Sequence, residues 1–421
     1  MKIGLVAVIL AVSFGTTSTL AADHSPRARD LGVPFDGSPG PNNAITDVLG
    51  VEVGFKTLIS GDGPLIRGKG PVRTGVTAIF PRGKNDHRAV FAGFFAGNGN
   101  GDMTGTHWLE ESGVLETPIT ITGTGSVGVV RDATFAWIAA HREGFFWYPV
   151  SAETADVPLN DMVGQHVTAQ DTFDALDSAK AGPVAEGNVG GGTGMMCNGF
   201  KGGTGTASRK LSVDAGGYTV GVLVQCNYGS ARQLRVAGIT VAREMVFQPP
   251  CVTQLTAPPQ RGSSGKVAKV CDPKRVAIAD DLNEERRGSI IIVIATDAPL
   301  TAEQLKRLAR RASVGLGRLG AIESDGSGDI FIAFSTANAG ADEGNWDEGI
   351  DKPAQLKRLR SEALNPLFEA TVQGVEEAVI NALVAARTMT GADYWTVSAL
   401  PHKQLQDILR RHAMLNETRS R

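Results

Sequence analysis

Hydrophobic and polar positions change rhythm near residue 289. Upstream, short apolar runs alternate with glycine- and proline-rich turns. Downstream, the unbroken β-branched run SIIIVIATDAP (289–299) reads as a fully buried strand. It leads into TAEQLKRLARRASVGLGRLG (301–320), where Leu305, Leu308, Ala312, Leu316 and Leu319 recur at helical spacing behind Thr301 as a cap. GSGDIFIAFST (326–336) predicts a loop and a strand, and 364–389 a long helix before a helical tail. Upstream, the pattern predicts a loop ending in a short strand over 29–56, strands over 73–80, 89–95 and 117–123, a strand and turn over each of 149–161 and 217–229, and one more strand within 233–247. It predicts helices over 106–115, 126–142 and 166–181, with Val129, Ala133, Trp137 and Ala140 on one face of the second. The stretch 250–287 carries the least pattern. Mixed helices and fully buried strands predict an α/β fold with helices covering stacked sheets.

Composition narrows the function classes. Charge is nearly balanced, 41 basic against 44 acidic residues, so no basic surplus points to nucleic acid or an anionic membrane. Glycine is abundant, 52 of 421 residues, and clustered, which marks turns and close backbone approaches. The first residues read as an export signal: Lys2, an apolar stretch over 3–15, then small residues with Thr19 and Ala21 at the −3/−1 positions. Cleavage is expected after Ala21 or Ala22, giving a periplasmic or secreted protein; an uncleaved anchor is the alternative. In an oxidising compartment Cys251 and Cys271, bracketing a Pro/Gly/Ser-rich loop, are candidates for a disulfide. Cys197 and Cys226 are expected as buried free thiols.

Three familiar chemistries lack support. Gly123, Gly125 and Gly128 match a dinucleotide-binding spacing, but no second strand is evident after the helix. Gly194 and Gly199 have phosphate-loop spacing, yet Phe200 stands where a lysine is required. No GxSxG elbow occurs, and His107, His141 and His166 are isolated. A hydroxyl can instead be activated at a chain terminus, because an α-amine with a pKa near ~8 serves as its own base. The junction Gly288-Ser289, where a charged run ending at Arg287 enters the buried strand, suits that chemistry.

At this junction the sequence resembles the L-aminopeptidase/D-amidase/D-esterase and β-peptidyl aminopeptidase family of self-processing N-terminal serine hydrolases. The resemblance is carried by RARDLGVPFDG (27–37), NAITDVLGVEVG (43–54), RTGVTAIFPRG (73–83), NGNGDMTG (98–105) and AET…LND (152–161). It continues through GNVGGGTGMMC (187–197), FKGGTGTASR (200–209), VQCNYG (224–229), GSIIIVIATDAPL (288–300) and GSGDIFIAFST (326–336). It implies an αββα sandwich and self-cleavage between Gly288 and Ser289. The chain would then divide into a signal (1–22), a large chain (23–288) and a small chain (289–421) headed by the nucleophile.

By the same resemblance, Asn227 helps form the oxyanion hole, and Ser327 and Asp329 act on the Ser289 hydroxyl or amine. Glu153 receives the substrate's free ammonium. No metal or organic cofactor is implied. Substrates would be small N-terminal L-residues, D-residue amides or esters, or β-amino acyl peptides, and the assembly a homotetramer of processed pairs. One departure stands out: Ala155 occupies a place where some relatives carry an aromatic. Two rival readings are an acyltransferase of the ornithine acetyltransferase type, which self-cleaves before a threonine, and an exported, non-catalytic ligand-binding protein.

Overall fold

The computed structural model describes residues 25–144, 147–258, 260, 267–274, 276–278, 287–340 and 355–416. The proposed signal and most of the charged run before Gly288 lie outside them. One sheet has the order β1 (Glu52–Ser60), β2 (Val72–Phe80), β5 (Ile119–Gly123), β6 (Val150–Thr154). The second has the order β4 (Val114–Leu115), β3 (Val90–Ala96), β15 (Gly326–Ser335), β14 (Arg287–Thr296), β10 (Thr219–Asn227), β9 (Gly203–Lys210). Short pairings complete the strands. These are β7 (Met196–Cys197) with β8 (Phe200–Lys201), β11 (Val246–Phe247) with β13 (Ala277–Ile278), and β12 (Cys251–Val252) with β17 (Trp395–Val397) and β16 (Met389–Thr390).

The two large sheets face each other across a core that includes Ile79, Ile119, Ile121, Leu223, Ile291, Val293, Ile330 and Ile332. Helices α2 (Val127–His141) and α3 (Ala169–Asp177) cover the outer face of the first sheet. Helices α4 (Ala302–Ala309), α5 (Arg311–Arg318) and α6 (Asn365–Ala385) cover the second, with α7 (His402–Arg411) against the same core. Helix α1 (Thr106–Ser112) lies beside β3. This is the αββα sandwich. Because β14 is covered on both faces, its apolar run has no polar alternation. Ile290, Ile292 and Ile294 face the helices, while Ile291 and Val293 face the other sheet. Fully burying each such side chain stabilises the fold by about 1.5–3 kcal/mol.

Several elements differ from the sequence pattern. Residues 301–320 form two helices interrupted at Arg310, although Leu305, Leu308, Ala312, Leu316 and Leu319 all stay buried. Segment 233–247 makes turns, with only Val246–Phe247 in a strand. The expected helical tail first makes β16 and β17. On α2 the buried face is Val130, Ala133, Thr134, Trp137 and Ile138, with Ala140 exposed.

A second strand does follow the GxGxxG helix: β6 lies parallel to β5. The glycine loop is nonetheless filled by protein. A methyl on Gly123 would fall 2.2 Å from Asp156 Oδ2, and one on Gly125 2.2 Å from the Met162 carbonyl oxygen.

Cys251 and Cys271 are joined by a disulfide. Cys197 and Cys226, expected as free thiols, are joined as well, because β7 lies against β10 with the two Cα atoms 5.6 Å apart. That proximity is a long-range contact, which local sequence does not reveal. The bridge closes a loop of 29 residues, so Cys226→Ser is expected to lower stability by about 3 kcal/mol. Thermal melting reads this out; an unchanged melting point contradicts it.

Candidate active site

Ser289 sits at the head of β14, between Asn227 on β10 and Gly328 on β15. Strand alternation turns its side chain the same way as Ile291, toward the space between the sheets. The Gly328 N–H donates to Ser289 Oγ at 3.2 Å. Gly288 faces the other way, paired with Ser327. A methyl on Gly288 would lie 2.3 Å from the Asn227 carbonyl oxygen and 2.8 Å from Tyr228 Cα, so the backbone there excludes any side chain.

Asn227 is buried, and its carboxamide is held from both ends. The Met196 N–H donates to Oδ1 at 2.8 Å, and Nδ2 donates to the Ala155 carbonyl at 2.9 Å. This fixes which end is nitrogen and leaves one Nδ2 hydrogen without a partner among the described residues.

Ser327 and Asp329 sit two apart on β15 and form a pair, the Ser327 hydroxyl donating to Asp329 Oδ1 at 2.6 Å. Burial pushes the Asp329 carboxyl up to about 6, and nearby Glu323 adds to this, while the Ser327 hydroxyl and the Ile290 N–H pull it down. Being opposite in register to Gly328, the pair points to the helix-covered face, alongside Gly288 and away from the Ser289 hydroxyl. A shallow cleft opens there, lined by Tyr228, Gly288, Glu323, Ser324, Ser327 and Asp329.

Glu153, on β6, is 4% exposed. It accepts the Asp102 N–H at 2.9 Å and the Thr124 hydroxyl. Burial raises its pKa above the usual carboxylate value, opposed by those two hydrogen bonds. Gly101 separates it from the serine: a methyl on Gly101 would fall 3.3 Å from both Glu153 Oε1 and Gly328 Cα.

The fold thus brings Glu153, Asn227, Gly288, Ser289, Ser327 and Asp329 to one end of the sandwich, with Glu153 on the first sheet and the others split between the two faces of the second. Sequence reasoning did not single out the supporting groups: Gly101, Thr124, Met196, Lys201 and Tyr228. Their part is played largely by backbone atoms or by burial, and neither leaves a residue-type signature.

A serine opening a central strand, in two facing sheets between helical layers, defines a serine hydrolase of the N-terminal-nucleophile class. The profile of peptidase family S58 matches residues 43–397, and the chain belongs to that family; it is a peptidase. It is 51% identical to "Beta-peptidyl aminopeptidase BapA" of Sphingosinicella microcystinivorans over 396 residues, 94% of each chain. Its structure is similar to the L-aminopeptidase D-Ala-esterase/amidase of Ochrobactrum anthropi, described as a variant of the Ntn hydrolase fold. The TM-score is 0.78 at 43% identity, over 93% of this chain and 99% of that one. A Burkholderia sp. beta-aminopeptidase gives a TM-score of 0.77 at 43% identity, over 94% of this chain and 100% of that one. Membership in a peptidase family sets aside the binding-protein and acyltransferase readings.

Proposed function

We propose that the chain cuts itself between Gly288 and Ser289 and then works as an exported aminopeptidase through an acyl-enzyme on Ser289. The observation that carries this reading is the register placing Asn227 directly beside Ser289, with Gly288 pressed against the β10 backbone. In maturation, Ser289 Oγ attacks the Gly288 carbonyl. The Gly288–Ser289 C–N bond breaks, an ester to Oγ replaces it, and the hydroxyl proton ends on the new amine. Water then hydrolyses the ester, leaving a Gly288 carboxylate and a free Ser289. Departure of Gly288 opens the position facing Ser327 and Asp329. The pair therefore acts on the new α-amine rather than on the hydroxyl, holding it where it can take the proton from Oγ.

In turnover, Oγ attacks the substrate's first amide carbonyl, and the oxyanion lies against the unpartnered Asn227 Nδ2–H. The α-amine passes its proton to the leaving amine, and water releases the acyl group. Glu153 binds the substrate ammonium and sets the free N-terminus at the serine. The name of the Sphingosinicella microcystinivorans relative favours β-amino acyl peptides as the substrate class, and Ala155 leaves room beside Asn227. We place the enzyme in the periplasm, as a homotetramer of processed pairs.

A β-alanyl amide with a chromogenic leaving group tests the substrate class. It is expected to be hydrolysed, and its N-acetylated form to be inert. With Glu153→Gln, KM for the free-amine substrate is expected to rise about tenfold or more while self-cleavage continues, because a charge-assisted contact worth about 1.5–3 kcal/mol is lost. Equal turnover of the acetylated compound contradicts the role of Glu153.

Asp329 gives a pH signature. The α-amine must be neutral to act as base, so kcat/KM climbs toward pH ~8. Asp329 must be ionised as well; its pKa, raised by burial in the uncut chain, is drawn down once the new ammonium lies beside it, and on the acid side the log-rate slope is expected to steepen from one to two as the carboxylate protonates. Asp329→Asn should abolish the steeper limb, and a variant that keeps it contradicts the assignment. The same raised pKa bears on stability. Its contribution is full below the unfolded value of 3.8 and is lost as pH rises through about 6.

A further inference from the structure

Lys201 is fully buried, and no carboxylate pairs with it among the described residues. Its ammonium instead donates to backbone carbonyls: Met195 at 2.8 Å, Gly202 at 2.8 Å and Gly192 at 3.5 Å. Burying an ammonium without a counter-charge is costly, and burial pushes its pKa down; three carbonyl acceptors, one for each hydrogen of the charged form, hold it as the ammonium. A neutral donor such as glutamine could satisfy two of these carbonyls without that cost. What only lysine adds is charge.

The position of that charge is specific. The Met195 carbonyl and the Met196 N–H belong to one peptide group. Lys201 binds its oxygen, and Asn227 Oδ1 accepts its N–H at 2.8 Å. The groups follow in line: ammonium, peptide C=O, peptide N–H, carboxamide C=O, carboxamide N–H. A cation at one end polarises each bond in turn, since hydrogen bonds in a chain reinforce one another in a low-dielectric interior. The final N–H is the one left unpartnered beside Ser289. The disulfide between Cys197 and Cys226 ties together the neighbours of both Met196 and Asn227, so the relay has little freedom to drift.

We propose that Lys201 is a positioning residue for acyl transfer: through the Met195-Met196 peptide it fixes and polarises the Asn227 carboxamide, strengthening its N–H toward the oxyanion. The proposal rests on the oxyanion role given to Asn227 above.

The test is a double-mutant cycle with Lys201→Gln and Asn227→Ala, each rate normalised to the amount of processed 289–421 chain. Lys201→Gln is expected to fold, to lower kcat about tenfold and to leave KM within about twofold, a fraction of what losing an oxyanion donor costs. On the Asn227→Ala background it is expected to cost nothing further. Wild-type kcat in Lys201→Gln overturns the proposal, as does a loss that multiplies in full with that of Asn227→Ala. If Asn227→Ala alone keeps wild-type kcat, the oxyanion reading itself fails, and that outcome is distinct from the first two. Lys201→Met, which removes the donors as well, is expected to be slower than Lys201→Gln. Failure of both variants to give folded protein assigns the lysine to stability alone and also overturns the proposal.

Discussion

With alanine at position 289, the chain is expected to stay in one piece and to lose hydrolysis by roughly 10⁴-fold or more. Both effects share one cause: the hydroxyl that attacks Gly288 in maturation is the hydroxyl that attacks the substrate. The side chain lies between the sheets with one backbone N–H among the described residues donating to it, so removing the oxygen leaves only a small polar gap. Melting should therefore hardly change. A denaturing gel and a rate assay on one preparation read both effects. An uncut Ser289→Ala protein with full activity contradicts the mechanism, and so does a variant that still cuts between residues 288 and 289.

Asn227→Ala is expected to lower kcat by about 10²–10³, the usual cost of one oxyanion donor, and to slow self-cleavage in parallel. The carboxamide is positioned by Met196 and Ala155 rather than by substrate, so KM should move little. Asn227→Asp separates charge from shape. It fills the same space but replaces the donor with an anion next to the forming oxyanion, and it should be at least as slow as alanine. A kcat within a few-fold of wild type for either variant excludes the oxyanion assignment.

The two-sheet core was legible because β14 and β15 announce themselves as apolar runs, and because Leu305 to Leu319 keep helical spacing even across the break at Arg310. The strands β16 and β17 were not legible. They are held by pairing with Cys251–Val252, far away in sequence, rather than by a local pattern. For the same reason the Cys197–Cys226 bridge could not be read from spacing. At the site, the residues singled out from motif context lie together at one end of the sandwich, but their sidedness was not legible. Only the register shows that Ser289 and the Ser327–Asp329 pair project from opposite faces of one sheet. The groups that hold Asn227 and Glu153 are mostly backbone amides and carbonyls, and every residue type has those.

Sequencing the purified protein from its free amino ends tests the central claim most directly. The account predicts two polypeptides, the smaller beginning Ser289-Ile290-Ile291-Ile292-Val293 and running to residue 421. A preparation that hydrolyses the amide substrate but has no chain beginning at Ser289 would contradict it.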